Sequence, residues 1–374
     1  MRILNASLFE NLWRKTQNPD VDDPTIPFIR FLLWLLVPVY WFASRTKRGF
    51  FYLFPYFRTR VSALTVSIGN LSVGGTGKTT TARLLAEMLS NDLDLETVVL
   101  SRGYRSDNDR WILPVSRKGE ILVSAKESGD EASLLARWLG NCSVIVGRRR
   151  AITARWAVKE WNAQAILLDD ALQYWRLERD LDFVTIAATG SFDNDFLFPR
   201  GSLRESLSEL KRADCVILYQ ADLVDPERLH QIMERVRFYN PNVAMIKLNL
   251  CLEANVLGSD GSRKGIDLRG KRVLAFCALG SPSSFAKSIE SKEARLLELL
   301  TFPDHHRYGL EDLEKIRSSA EELDAEYIVT TEKDEANLQS GLGPLSEVCI
   351  MSSRPSIAAK DKRVIIDLLR RAGK

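Results

Sequence analysis

The stretch "SIGNLSVGGTGKTTT", Ser67–Thr81, decides the fold. It follows an apolar run and opens into amphipathic sequence, so it reads as a strand, a glycine-rich loop and the start of a helix. That layout lets backbone N–H groups converge on a phosphate at a helix N-terminus. The strict pattern G-x-x-x-x-G-K-[ST], counted back from Lys78, puts Ser72 where the first glycine belongs. Gly74, Gly75 and Gly77 remain, Lys78 supplies the cationic contact, and Thr79 carries a hydroxyl suited to Mg²⁺. Serine at the first position requires only a backbone conformation that a side chain tolerates. A G-x-G-x-x-G dinucleotide fingerprint does not occur within 69–81. The loop Ser72, Val73, Gly74, Gly75, Thr76, Gly77, Lys78 and Thr79 is therefore the candidate nucleotide cradle.

Outward from the loop, apolar strands alternate with amphipathic helices, the pattern of a parallel α/β domain. Strands are expected at 63–70, 96–104, 142–147, 163–171, 181–188 and 213–221, with helices at 78–90, 130–140, 149–161 and near 226–238. The turn "YNPN" (239–242) marks a boundary. Beyond it, strands at 243–250, 271–277 and 326–331, and a last helix at 360–372, form a second, smaller α/β domain. The division expected is 1–60, 61–230 and 231–374.

With 374 residues the chain is long enough for two domains, and its net charge of only +3 argues against a dedicated nucleic-acid binder. The charge is uneven: residues 1–60 carry nine Lys/Arg against four Asp/Glu, the remainder 43 against 45. Five scattered cysteines without a C-x-x-C pair read as reduced, mostly buried thiols of a cytosolic compartment. Three histidines leave little for a zinc site.

The basic segment also holds an unbroken apolar run, Phe31–Ala43, with Pro38 inside it, followed by "SRTKRGF" and "FFYLFPYF". Thirteen residues fall short of the roughly 20 that span a bilayer. Aromatics and cations beside a short apolar run suit the headgroup region of an anionic leaflet, so an N-terminal membrane-associated helix is expected. A buried core helix and a single span are the other two readings.

Further motifs carry chemistry. "AILLDD" puts Asp169 and Asp170 at the C-terminal end of a strand, the place of a metal-binding acid facing the phosphate loop. "SGDEAS" (128–133) sets Asp130 and Glu131 at a helix start, where capping is the plainer explanation. "FPDHHRY" (302–308) holds Asp304, His305 and His306, and a histidine can keep a carboxylate poised as a base. "TEKD" (331–334) could hold the second domain in place or be a helix start capped by Thr331.

Taken together, "VSIGNLSVGGTGKT", "LSRGY" (100–104), "GDE" (129–131), "DDALQ" (169–173), "FPRGSLRESLSELKRAD" (198–214), "FPDHHRY" and "TEKD" resemble the tetraacyldisaccharide 4′-kinases, the lipid A 4′-kinases. They stand in that family's order over roughly 61–340, and the family's loop usually has Ser or Thr where Ser72 stands. The resemblance implies a kinase that uses ATP and Mg²⁺ to phosphorylate the 4′-hydroxyl of an acylated disaccharide 1-phosphate. It would act in lipid A biosynthesis, at the cytoplasmic face of the bacterial inner membrane. Position by position it implies Asp130 as base with His305 as its partner, Lys78 on the ATP phosphates, and Thr79, Asp169 and Asp170 serving metal and phosphoryl group. Glu131 and Gln173 would support the metal, and Arg204, Glu205 and Asp304 would line the substrate site. The chain departs from the family at Ala171, where glycine is usual, at Tyr174, where histidine is usual, and in "GDEA" and "LRES", which lack the family's proline. The loop is also similar to that of the MinD/ParA switch ATPases, but their signature lysine is replaced by Val73.

Overall fold

Strand β1 (Leu64–Gly69) is buried at every position, so both its faces must be covered, as in a parallel sheet flanked by helices. A computed structural model describes residues 13, 15–17, 23–103, 111–190, 196–257, 263–279, 282–303, 306–335, 337–338, 345 and 348–373. After β1 come β2 (Thr97–Ser101), β3 (Leu113–Arg117), β4 (Glu120–Ile121), β5 (Ser143–Val146), β6 (Ala165–Leu168) and β7 (Leu181–Ala187). They are followed by β8 (Cys215–Tyr219), β9 (Ala244–Leu257), β10 (Arg263–Gly265), β11 (Arg272–Cys277), β12 (Arg295–Thr301), β13 (Tyr327–Thr331) and β14 (Val348–Ser356). The longer helices are α1 (Ile26–Leu53), α2 (Lys78–Glu87), α3 (Asp130–Trp138), α4 (Arg150–Trp161), α5 (Pro226–Tyr239), α6 (Pro282–Glu290), α7 (Leu310–Glu322) and α8 (Ala359–Ala372).

The chain gathers into two compact units, each built from separate stretches. One comprises Met1–Ala82, Ala154–Asn249 and Ile357–Lys374; the other comprises Arg83–Thr153 and Leu250–Ser356.

In the first unit β1 lies between β6 and β7, β7 pairs with β8, and β8 pairs with the start of β9, all in parallel. The parallel arrangement places the ends of β1, β6, β7 and β8 on one edge, where the loops after them can meet. Helix α5 covers this sheet. Asp225 caps it by accepting from the Arg228 N–H, Pro226 occupies its first turn, and Leu229, Ile232 and Val236 are buried at helical spacing in a core that includes Val216 and Leu218.

Helix α1 is longer than its apolar run predicts, because the basic and aromatic residues after Ala43 continue it to Leu53, and Pro38 is accommodated inside it. Its more buried positions, among them Val37, Tyr40, Ser44, Arg48 and Phe51, recur every three or four residues as one stripe. The opposite face exposes Phe28, Phe31, Val39 and Phe42. Only 11% of its most apolar window is buried, which sets aside the buried core helix. By length and composition this helix could cross a membrane, with a window hydropathy of 1.8.

In the second unit β2 and β5 pair in parallel, and β3 runs antiparallel to both β5 and β4. The β3–β4 turn uses Lys118 and Gly119, both at positive φ, a two-residue hairpin. Strands β12, β11, β13 and β14 form a parallel set. Along β11, Val273, Ala275 and Cys277 enter one core while Leu274 and Phe276 enter another, so this set too is covered on both faces. The second half of β9 pairs antiparallel with β10.

Every strand expected from the sequence is present, each starting within about two residues of its expected place, while β9 runs on to Leu257, well past the expected end at 250. Strands β3, β4, β10, β12 and β14 are additional. "RLLELLT" (295–301) has leucines at helical spacing, yet it forms strand β12 beside β11, where tertiary pairing overrides local preference. Four cysteines are buried and Cys251 is exposed; all five are free thiols.

Candidate functional site

The glycine loop belongs to the first unit, between Gly69 at the end of β1 and Lys78 at the start of α2. Its shape is fixed from inside by a side-chain network. Asn70 Nδ2 donates to the Ser72 carbonyl at 2.5 Å and to Thr76 Oγ1 at 2.9 Å. Thr76 Oγ1 lies 3.0 Å from Thr185 Oγ1, and that hydroxyl donates to the Gly69 carbonyl at 3.2 Å. From outside, the segment "GSLRE" zips against the loop. Ser72 and Leu203 form an antiparallel bridge, the Val73 N–H donates to Ser202 O at 2.7 Å, and the Arg204 N–H donates to Leu71 O at 2.6 Å.

The loop's glycines divide by role. A Cβ on Gly74 or Gly75 would meet nothing within 4 Å, so that side of the loop is open to a ligand. Gly77 sits at φ +76°, and a Cβ there would fall 2.3 Å from the Tyr219 ring. Glycine at 77 is therefore demanded by both backbone and packing. Burial raises the Tyr219 hydroxyl, which is hydrogen-bonded to Thr80, above its usual range.

Beside the loop, β6 stops at Leu168 and the two acids that follow separate. Asp169 is only 3% exposed. Asp170 takes a left-handed conformation (φ +47°) and its side chain is 37% exposed. Arg204 Nη1 reaches both Asp170 oxygens, at 3.0 and 3.2 Å, and Lys78 Nζ lies 4.0 Å from Oδ1. Gln173 donates to the Asn70 carbonyl at 3.0 Å and to Glu205 at 3.4 Å. Glu205 is buried; burial raises its carboxyl above the usual range, with the Arg212 guanidinium, 2.7 Å away, opposing the shift. Ala171 is fully buried, and its N–H donates to Ile68 O, so the methyl group in place of the family's glycine is packed inside.

The second unit holds the other motifs. Gly129, at φ +84°, is the cap of α3, and Asp130 and Glu131 occupy the first turn, so neither acid is itself the cap. Asp130 is half-buried and Glu131 exposed. At the far end of α3, Trp138 Nε1 donates to Glu332 Oε2 at 3.0 Å, which ties this helix to "TEKD". Burial raises the Glu332 carboxyl. Asp334 is fully buried and accepts three bonds: from Ala278 N–H at 2.8 Å, Tyr308 OH at 2.9 Å and Thr331 Oγ1 at 2.6 Å. The expected cap is present, since Thr331 Oγ1 accepts from the Asp334 N–H at 3.2 Å, and Asp334 also binds the end of "FPDHHRY" into the core, which the sequence did not suggest. His306 is half-buried, stacked on Phe302 with ring centroids 5.0 Å apart and 2.9 Å from Asp312 Oδ2. Asp304 and His305 lie outside the described residues.

A family model described as Tetraacyldisaccharide-1-P 4'-kinase matches residues 29–371. The chain belongs to this family. It is 35% identical over 317 residues to the Tetraacyldisaccharide 4'-kinase of Halothermothrix orenii, with 82% of each covered. To the corresponding kinase of Anaeromyxobacter sp. (strain K) it is 38% identical over 285 residues, with 76% of this chain and 74% of the relative covered. The solved LpxK of Aquifex aeolicus, an "apo" form in complex with ATP, superimposes with a TM-score of 0.71 at 26% identity over 92% of this chain and all of that one.

In this member of the 4′-kinase family, sequence reasoning named the loop, the acids and Arg204, and the first unit assembles them. It missed Asn70, Thr185, Tyr219 and Arg212, which hold that assembly in shape. Asn70 and Arg212 stood in stretches that the family resemblance had marked, but nothing local set either apart, Arg212 least of all from Lys211 beside it in "SELKRAD".

Proposed function

We propose that this protein transfers the γ-phosphoryl group of ATP to the 4′-hydroxyl of a tetraacyldisaccharide 1-phosphate, giving lipid IVA. The observation that carries the reading is the meeting of Lys78, Asp170 and Arg204 beside a glycine loop with one open side. Two cations and the N–H groups at the start of α2 make a cradle for a polyphosphate, and the solved ATP-bound relative supports ATP as its occupant.

The donors fit a hard cation. Thr79, Asp169 and Asp170 offer oxygens, and Mg²⁺ takes one or two carboxylates together with phosphate oxygens rather than an all-protein cage. Glu131 and Gln173 are the supporting residues proposed from the family pattern. Mg²⁺, when bound, neutralises charge on the transferring group.

The chain's own residues do the rest. Lys78 and the loop amides hold the phosphates in line. Arg204, anchored on Asp170, offers a guanidinium at the point where charge spreads over the phosphoryl oxygens. Asp130 accepts the proton of the 4′-hydroxyl as that oxygen bonds to phosphorus and the β–γ bridge bond breaks, and His305 keeps the carboxylate basic. Asp304 and Glu205 complete the proposed substrate side. A partner-binding switch ATPase would have lysine where Val73 stands. Functionally, residues 1–60 attach the enzyme to the cytoplasmic face of the inner membrane, and the glycine loop within 61–230 binds nucleotide. The exposed apolar face of α1 and its basic flank favour that attachment, which keeps enzyme and acylated substrate in one interface.

Incubation of the purified protein with Mg·ATP and tetraacyldisaccharide 1-phosphate, followed by mass spectrometry, is expected to show one added phosphate on the lipid. Absence of that mass would sink the proposal. Asp130→Ala should lose turnover while still binding ATP; turnover near that of the unaltered protein would remove Asp130 from the role of base.

A further inference from the structure

Helix α1 is tied to the phosphate loop by a continuous line of polar contacts inside the first unit. Arg48, on the inward stripe of α1, forms an ion pair with the buried carboxylate of Glu209. The other Glu209 oxygen lies 3.0 Å from Arg212 Nε, and Arg212 Nη2 meets Glu205 Oε2 at 2.7 Å. Glu205 in turn accepts from Gln173, whose amide also donates to the carbonyl of Asn70, the residue that shapes the loop from within. The charges along this line alternate, cation–acid–cation–acid, and at most 17% of any of the four charged side chains is exposed.

Arg212 is shared by two buried acids. While Arg48 satisfies Glu209, Arg212 can serve Glu205, and Glu205 can hold Gln173 against the loop. Without Arg48, Glu209 loses one of its two cations in a poorly solvated place, and Arg212, already 3.0 Å from its other oxygen, must balance more of its charge. A buried charge short of a partner is costly, so the guanidinium is drawn towards Glu209 and Glu205 loses its partner. Gln173 then loses its anchor, and Asn70 part of its support.

We propose that Arg48 is a positioning residue for the phosphate loop: α1, seated on the first unit, sets the loop's affinity for nucleotide through Glu209, Arg212, Glu205 and Gln173. The proposal rests on the reading of the loop as the ATP site. It gives α1 a second task beyond attachment to a membrane, since an enzyme whose α1 is displaced would hold ATP less well.

The test uses the full-length protein in phospholipid vesicles and a fluorescent ATP analogue. Arg48→Met should weaken nucleotide binding by about three- to tenfold, the size of a typical coupling between distant groups. Arg48→Lys should stay within about twofold of the unaltered protein. The deciding variant is Arg48→Met/Glu209→Gln: with the acid neutralised, Arg212 returns to Glu205 and affinity should recover to within about twofold. Co-sedimentation with vesicles should not change in any of the three. The proposal is overturned if Arg48→Met binds nucleotide normally, if its loss follows detachment from vesicles, or if the double variant stays as weak as the single one. Failure of the unaltered protein to bind the analogue would instead refute the loop as a nucleotide site.

Discussion

The contact between Thr76 and Thr185 permits a quantitative test of how the loop keeps its shape. Thr76→Val keeps the side chain's volume but deletes a hydroxyl that bonds Asn70 Nδ2 at 2.9 Å and Thr185 Oγ1 at 3.0 Å. Thr185→Val deletes the same shared bond and the one to Gly69 O. At about 1 kcal/mol per buried neutral hydrogen bond, each single variant should lose about 2 kcal/mol of local stability. Because one bond is common to both, the double variant should lose about 3 kcal/mol rather than 4, a coupling of about 1 kcal/mol. Hydrogen exchange at the amides of residues 72–78 reads this opening free energy locally, without requiring the whole chain to unfold in one step. Exchange should quicken about 30-fold in either single variant and about 150-fold in the double, against about 900-fold if the effects simply add. Additive behaviour would mean that the two hydroxyls do not bond each other, and the account of a loop braced from within would fail.

Two further predictions bear on other parts of the site. Gly77→Ala should reduce ATP binding by more than about a hundredfold, because the new methyl group meets the base of the Tyr219 ring, Cγ at 2.4 Å, and the backbone is left-handed. Adding Tyr219→Ala should restore part of that loss, and equal binding by the single and double variants would rule out the ring as the obstacle. At the entry to α7, burial pushes the Asp312 carboxyl up, but the Gly309 N–H and His306 outweigh it and hold it below the usual carboxylate range. A group lowered in the folded state stabilises above its unfolded pKa and loses that contribution as pH falls through its folded value. Amides of the first turn of α7 should therefore exchange faster as pH drops below about 4, after correction for intrinsic rates, and Asp312→Asn should remove that dependence.

What the sequence made legible was mostly periodic or composed of rare residue types. The strand before the loop, the glycines, Lys78 and the paired acids could be read because each is the short answer to a chemical need stated in one place along the chain. β12 could not, since "RLLELLT" carries a helical leucine spacing and becomes a strand only because β11 offers a parallel partner. Tyr219 and Thr185 were invisible for a related reason. A tyrosine or threonine in an apolar strand has no local mark, and both matter only through residues more than a hundred positions away.

The same distinction explains the odd residues of the loop. Ser72 was readable as a tolerated replacement for glycine, yet its use appears only with the partner strand: its neighbour's N–H donates to Ser202, and its own backbone pairs with Leu203. A loop held by an external strand does not need the conformational freedom of glycine at its first position. Its geometry comes from the bridge rather than from a turn. "SLRES", which resembled only a substrate-lining motif, thus serves the loop with its backbone and Asp170 with the Arg204 guanidinium. Removing that guanidinium and disturbing that backbone are separable perturbations, because the side chain and the main chain of one segment act on two different neighbours.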